Sequence, residues 1–508
     1  MQPPILIVGA GPTGLVLALW LAKSGIPIRI IEKNAGPGQA SRAMAVQART
    51  LEFYRQLGIA GQVIDAGIKM NGLKLRKGVR EVASFPFMNI GTDISPFPFV
   101  LSFPQDDHEH LLSRVLEDLG IPIEWNTQLI SFNQDNSSVH TVLSKNGSEE
   151  SASFAYVCGC DGAHSTVRQQ LGLGFPGGPY EKSFYVADVQ AKGLIFNQDV
   201  NISVSPGSFA LAFPVRSSGM FRLIGVIPAE LTACDHITFE DIRPEVTKQM
   251  ETDVQHVNWF STYRVHHRVA DHFRKGRVFI AGDAGHVHSP VGGQGMNTGI
   301  GDAVNLAWKL ADVIHGHANP TLLDTYDSER IAFAHTLVAT TDRLFEIVVG
   351  TGAKSTFFRS IFIPYIAPIL LRSRAVRRAQ FRLVSQTRIE YRRSSALSTG
   401  EAGSIHGGDR LPWLPNQDNF KSLNSLAWQL HVFAELTSAL RELAAQRTLP
   451  IHTFACDETA KAAGLAPGAT YLIRPDGYIA HAQLDQNTQP LDHVVSKWLT
   501  SEPITQPV

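Results

Sequence analysis

The sequence predicts an α/β fold, built on a parallel sheet whose working turns lie at its carboxyl edge. Three observations predict it. An apolar strand over residues 5–8 runs into a turn with Gly9, Gly11 and Gly14 and then into a helix. A second apolar run, Val278 to Ile280, ends in Gly282 and Asp283, followed by a glycine-crowded stretch over 290–301 and another helix. Between them, residues 154–160 form a strand that ends in Asp161 and Gly162. Short apolar strands alternating with helical periodicity make a parallel sheet. Open sheets of this kind bind ligands where their strands end.

The chain has 508 residues, enough for two or three domains with ample core. A net charge of −1 gives no reason to expect a nucleic-acid partner. Four cysteines make no disulfide framework, and Cys158 and Cys160 are too close for a CxxC pair, so a reducing, cytoplasmic setting is expected. The first strand follows Met1 almost at once, so no signal peptide is expected. Residues 360–371 are apolar but too short to span a bilayer, so no integral membrane segment is expected; a buried segment is expected ahead of one resting on a membrane surface.

In the first unit, Gly9 permits the turn, Gly11 lets a pyrophosphate approach, and Gly14 lets helix pack on strand. Leu15, Ala18, Leu21 and Ala22 continue at helical spacing, and Gly25 is placed to end that helix. A second strand, 28–31, closes with Glu32. An acid about 20 residues past the glycines binds an adenosine ribose. This ordered set marks a dinucleotide turn without separating FAD from NAD.

Residues 41–52 predict a second helix. Arg42 can meet a pyrophosphate through its planar fork, while Arg49 fits a solvated helix face equally well. Gln105 stands before a helix that carries Leu111, Leu112 and Val115, and its amide can reach a cofactor. Ser165 is placed to cap the helix after Asp161. A helix is expected to start near Thr298, its free N–H groups and positive dipole end facing the glycine turn. An acid for a sugar hydroxyl, bare backbone and a helix start for an anion together describe a flavin nucleotide site. His286 and His288 lie in that turn without a carboxylate at metal spacing beyond Asp283, so a structural role for His286 is expected and no metal.

From about Tyr180 to Trp259 the texture turns to strands. Alternation places Phe209, Leu211 and Phe213 on one face, and residues 73–103 add further strands to that sheet. Residues 341–393 read as mostly helical, with a solvated basic run between Arg372 and Arg393. Glycines and prolines near 400–418 mark a boundary. Beyond it come a strand at 430–433, a helix through Leu440 and Leu443, and a hairpin turning at Pro475-Asp476-Gly477.

Taken in order, Gly9-Gly11-Gly14 with Glu32, Arg42, Cys160-Asp161-Gly162, and Gly282-Asp283 through Gly295-Met296-Asn297 resemble the single-component FAD-dependent aromatic hydroxylases, the p-hydroxybenzoate and phenol hydroxylase family. The likeness is greatest to phenol, pentachlorophenol and polyketide hydroxylases with an extra C-terminal domain. It implies a Rossmann-like FAD-binding domain over 1–72, 104–178 and 268–345, and an inserted mixed β-sheet substrate domain over 73–103 and 179–267. A helical connection over 346–400 and a thioredoxin-like C-terminal domain over 401–508 complete it. Cys456 is the only cysteine of that tail, which excludes thioredoxin chemistry.

The resemblance also implies residue roles. Gly9, Gly11, Thr13 and Gly14 hold the FAD pyrophosphate, Glu32 the adenosine ribose, and Lys33 lies by the adenine. Arg42 and Gln105 touch FAD, Asp161 belongs to a motif linked to FAD and the nicotinamide, and Asp283 binds the ribityl chain. Pro290 lies by the flavin ring, and Gly295, Met296 and Asn297 run along its pyrimidine edge. The inserted sheet roofs the flavin and a flat aromatic substrate. Met44 stands where phenol hydroxylases place a substrate-side aspartate, so that acid is missing here. Arg222, by strand position, and Tyr185 and Tyr263 are the substrate-side candidates.

The implied activity is hydroxylation of an electron-rich phenolic or polyketide-like ring with NADPH or NADH and O2 through a flavin C4a-hydroperoxide. The alternative is a Baeyer–Villiger-type oxygenase or other flavin oxidoreductase on the same scaffold; the halogenase signature Trp-x-Trp-x-Ile-Pro is absent. A homodimer is compatible with the family's tail.

Overall fold

The computed structural model describes residues 3–500 except 39–42, 78–79, 87–89, 194–196, 206–207, 217–218, 233, 235, 290–292 and 351. The apolar stretch 360–371, made of parts of the helices Phe358–Ile366 and Ala367–Leu370, is not a buried segment: Ile361, Tyr365, Ile369 and Leu370 are 45%, 69%, 63% and 44% exposed. Short length and two prolines do not say which neighbour covers an apolar run, and here its outer stripe meets solvent. No helix among the described residues is long and apolar enough to cross a membrane.

The main sheet runs Arg274–Lys275, Val278–Ile280, Tyr156–Gly159, Ile5–Val8, Ile28–Ile31, Ile123–Glu124. All neighbours are parallel except the first pair. Its central strands are completely buried, as strands covered on both faces must be, which explains their unbroken apolar runs. The helices Pro12–Lys23 and Gly295–Ile314 pack on it, and Trp20 and Trp308 are fully enclosed.

A second, eight-stranded sheet begins at the short strand His286–Val287 of the glycine-rich turn. It continues through Asp253–Val269, Gly177–Lys192, Met220–Val226, Ser208–Arg216 and Val200–Ser205, and ends with Gly72–Lys77 and Arg80–Pro86. Its register fixes which side chains share a face: Asp188 stands opposite Arg222 and Trp259, and Phe184 opposite Val226 and Tyr263. One face is sealed by the helix Phe239–Met250, which packs on Tyr185, Ala187, Ala210, Ala212 and Leu223. The other carries Phe184, Phe209, Leu211, Val226, Tyr263 and Val265, against Phe345 of the helix Asp324–Val349. Phe209 and Leu211 thus share a face and their small neighbours Ala210 and Ala212 take the other, the period-two rule of strands.

A third sheet holds the C-terminal strands, from Thr399–Ala402 to Ile479–Gln483, with its own core around Leu411, Phe420, Tyr471 and Ile479. The chain's second helix starts at Ala48, later than residues 41–52 suggest, because Ala45–Val46 pairs as a strand with Val100–Ser102. Arg49 is not solvated. It is 2% exposed, donates to Glu52 at 2.8 Å and to the Asp476 carbonyl at 2.7 Å, and so joins the helix Ala48–Leu57 to a turn of the C-terminal sheet.

Candidate active site

Four strand ends meet on one edge of the main sheet. Gly9 N–H donates to the Ile31 carbonyl at 2.8 Å, Cys160 N–H to Val8 at 2.8 Å and Ala281 N–H to Gly159 at 2.9 Å. Glu32, Asp161 and Asp283 therefore emerge side by side. The three glycines answer to three different constraints. Gly9 has φ +106°, and a Cβ there would overlap the Cys160 carbonyl. A Cβ on Gly14 would overlap the Gly9 carbonyl. A Cβ on Gly11 would meet nothing within 4 Å. The first and third serve packing, and the second opens the backbone to a ligand.

Thr13 is the point where the distant segments touch. A Cβ on Gly282 would lie 2.5 Å from its Oγ1, and one on Gly299 would overlap it. Glu32 is oriented by its neighbours: Oε2 accepts from Ala10 N–H at 2.9 Å, and Oε1 from the Asn34 N–H at 3.0 Å and its amide at 2.6 Å. Lys33 beside it is exposed. Asp283 is exposed at the end of its strand, in the turn Gly282–Ala284.

The other predicted residues divide. Asp161 caps the helix Thr166–Gln170, accepting from Val167 N–H at 3.1 Å, while Ser165 accepts from Arg168 N–H at 3.0 Å. Burial pushes the Asp161 carboxyl above its ordinary value. Gln105 opens the helix Gln105–Asp118; its Oε1 accepts from Ala43 N–H at 3.2 Å and its amide donates to Glu109 at 2.8 Å. The helix expected from Thr298 begins at Gly295, so Gly295, Met296 and Asn297 are its first turn and carry its unpaired N–H groups. The Asn297 side chain is a staple: Oδ1 accepts from Gln47 N–H at 2.9 Å and Thr50 Oγ1 at 2.7 Å, and Nδ2 donates to the Ala45 and Gly293 carbonyls. Arg42 and Pro290 lie outside the described residues.

His286 is held structurally. Its Nε2 meets Asp302 Oδ2 at 2.7 Å, and the same carboxylate accepts from Gly282 N–H at 3.0 Å and Arg330 Nε at 2.6 Å. Arg330 goes on to Tyr391 and the Thr298 carbonyl. Asp302 and Arg330 carry no role in the sequence reading. Their signal was a charged residue on the inward face of a helix, a position rarely charged unless paired. Burial lowers His288 to about 4, so its imidazole is neutral. Among the described residues no group of three or more His, Cys, Asp or Glu can hold a metal.

On the substrate side the candidates separate by sheet face. Tyr185 is 3% exposed and lies across Gly225 beneath the helix Phe239–Met250, so it belongs to the sealed face and not, as the sequence suggests, to the substrate side. An odd–even shift in a strand reverses the face, and sequence alone did not fix the parity here. Tyr263 and Arg222 stand on the opposite face. Arg222, fully buried, gives both Nε and Nη2 to Asp188 at 2.7 Å, a bidentate pair whose acid the sequence reading had missed.

A parallel sheet with a bare glycine turn, an acid at the end of its second strand and a helix start on one edge defines a dinucleotide-binding protein. Residues 2–341 match the FAD binding domain family and residues 408–501 the aromatic-ring hydroxylase C-terminal family. The 6-methylpretetramide 4-monooxygenase of Streptomyces rimosus is 32% identical over 507 residues, covering 94% of this chain and 90% of that protein. Pentachlorophenol 4-monooxygenase of Sphingobium chlorophenolicum is 33% identical over 357 residues, 68% of this chain and 65% of that one. Anhydrotetracycline hydroxylase OxyS of Streptomyces rimosus superposes with a TM-score of 0.78 at 28% identity, covering 99% and 100% of the two chains. The chain belongs to the FAD-dependent aromatic hydroxylases. It is a monooxygenase with FAD as cofactor and NAD(P)H as electron donor, and it hydroxylates an electron-rich aromatic ring. The Baeyer–Villiger alternative is not favoured.

Proposed function

We propose that the ring it hydroxylates is a neutral, polycyclic phenol of polyketide type, held beneath the open face of the eight-stranded sheet. The observation that carries this is the composition of that face. Leu211, Phe213, Ile224, Trp259 and Tyr263 are only half-buried, an apolar and aromatic roof suited to a flat ring system. Arg222 is already answered by Asp188, which argues against its gripping a carboxylate on the substrate. The relatives whose names specify 6-methylpretetramide and anhydrotetracycline as substrates support the same class.

Gly11 would take the FAD pyrophosphate on its backbone, Glu32 the ribose, and Asp283 the ribityl chain. When bound, FAD supplies the electron relay and the activation of oxygen. The protein's part is to orient and to exclude water. The first turn at Gly295 to Asn297 presents a positive dipole end that favours negative charge at the pyrimidine edge. Tyr263 would stand over the substrate ring. We place the enzyme in the cytoplasm, beside its supply of reduced nicotinamide.

The test is incubation of the FAD-loaded enzyme with NADPH, O2 and a panel of one-ring and multi-ring phenols, followed by mass spectrometry. A multi-ring phenol gaining one oxygen supports the assignment. Turnover confined to one-ring phenols or to carboxylated rings would overturn it.

A further inference from the structure

We propose that the arginine-lined groove between the helix Arg374–Val384 and the C-terminal sheet unit binds a phosphorylated small molecule of nucleotide size. The groove encloses about 450 Å³ and lies apart from the nucleotide turn. That volume is in the range of small-ligand sites, roughly 300–1,000 Å³. An adjoining depression of about 510 Å³ continues along Arg374, Arg378 and Arg382 to Ala462.

Its charge is out of balance. Six cationic side chains line the groove against three carboxylates, Asp93, Glu390 and Asp409. The carboxylates are spoken for. Arg378 meets Asp93 at 2.6 Å, and Arg392 meets Asp409 at 2.5 Å and Glu390 at 3.5 Å. Arg410 is held from below by Glu52 at 2.5 Å, and Lys461 by Glu458 at 2.7 Å. Arg382 and Arg388 are left without a carboxylate partner among the described residues. Burial lowers Arg382 from its ordinary value, and the charges of Arg378 and Arg410 lower it further against Asp93. Cations crowded in this way are a repulsive arrangement that a bound anion relieves.

Planar guanidiniums match phosphate oxygens two at a time, which favours phosphate over a simple halide. Trp413 and Pro412 supply a less polar wall for the rest of the ligand. The groove also has a structural link to the nucleotide turn. Thr387 lines it, and the preceding Gln386 donates to Thr298 Oγ1 at 2.9 Å, in the first turns of the helix Gly295–Ile314. The same phosphate chemistry is offered by the 2′-phosphorylated electron donor and by a nucleotide that takes no part in turnover.

The experiment is calorimetric titration of the FAD-loaded full chain with pyrophosphate and ADP, beside the steady-state KM for NADPH, in the native protein and in the double variant Arg382→Gln, Arg388→Gln. Both side chains reach solvent from the groove wall and hold no carboxylate among the described residues, so the fold is retained, and an unchanged melting temperature verifies it. Saturable pyrophosphate and ADP binding is expected, weakened roughly ten- to a hundredfold in the variant and by added salt. If the KM for NADPH rises by the same factor, the groove receives the donor. If it stays constant while ADP binding is lost, the groove serves a separate nucleotide. Absence of saturable binding of pyrophosphate and ADP, or equal binding in the variant, overturns the site. That failure leaves aromatic hydroxylation untouched, since pyrophosphate and ADP are titrated without turnover.

Discussion

Glu329 and Arg474 meet face to face in a fully buried pair. Glu329 Oε1 accepts from Nη1 at 2.9 Å and Oε2 from Nη2 at 3.0 Å. Glu329 lies on the helix that follows the nucleotide-turn helix, and Arg474 follows a strand of the C-terminal sheet. The pair is the centre of a cluster. Lys309 and Asn305 reach Glu329 Oε2, Ser395 reaches Oε1, and Arg474 also binds Asp476. Such a cluster gives register between units more than net stability, because each charge was costly to bury.

Replacing Glu329 by Ala strands Arg474 and Lys309 in the interior. A loss of about 3–5 kcal/mol is expected, read as a lower midpoint in urea unfolding. Burial pushes the Glu329 carboxyl up, but Arg474 and Lys309 outweigh it and hold it well below the carboxylate range. Its folded pKa is depressed, so its contribution is present above the unfolded value of 4.5 and is lost as pH falls below it. Glu329's own contribution should therefore be constant from pH 8 to about 5 and shrink only in acid, while Lys309, which burial lowers to about 8 and which loses its partner in the variant, makes the difference grow as pH falls from 8 toward 5.

Asp312 behaves oppositely. Burial raises its carboxyl to about 7, against a hydrogen bond from Trp428 Nε1 at 2.8 Å that lowers it. The folded pKa lies above the unfolded 3.8, so stability is full below that value and falls as pH rises through 7. Asp312→Asn keeps an acceptor for Trp428 and removes the titration. It should match the native protein near pH 4 and exceed it by about 1–2 kcal/mol at pH 8, the partial solvent access of Asp312 limiting the gain. Thermal melts across that range measure it. A pH-independent difference would show that Asp312 is not the titrating group.

Much of this architecture was legible because local rules and the fold agree. Glycines at three spacings, an acid after a buried strand and a helix start each carry a backbone requirement that the residue type reveals. What was not legible depends on partners distant in sequence. Arg49 looks like a surface arginine until Glu52 and the Asp476 carbonyl close on it. Arg222 looks like a substrate grip until the strand register sets it opposite Asp188. Tyr185 and Tyr263 differ only in which face of one sheet they take, and a single residue of register decides that.

That difference is testable. Tyr263→Phe should change kcat/KM for a bound phenol by about tenfold, the worth of one hydrogen bond, with little effect on unfolding. Tyr185→Phe should leave kcat/KM within about twofold, because its ring is enclosed under the helix Phe239–Met250. Steady-state kinetics on both variants decides the face, and the reverse pattern would place the substrate on the other side of the sheet.

The glycine turn separates ligand binding from folding at two positions of one motif, Gly11 and Gly14. A Cβ on Gly11 meets no protein atom within 4 Å, whereas one on Gly14 overlaps the Gly9 carbonyl. Gly11→Val should fold with a melting temperature close to that of the FAD-free native protein, yet bind FAD at least about a hundredfold more weakly, since its branched side chain fills the space a pyrophosphate needs. Gly14→Val must instead push the helix Pro12–Lys23 off its strand, and should lose about 2–4 kcal/mol of stability by overpacking before any ligand is added. Flavin fluorescence titration beside melts of the FAD-free proteins separates the two effects. Normal flavin uptake by Gly11→Val would mean that the dinucleotide does not cross that turn.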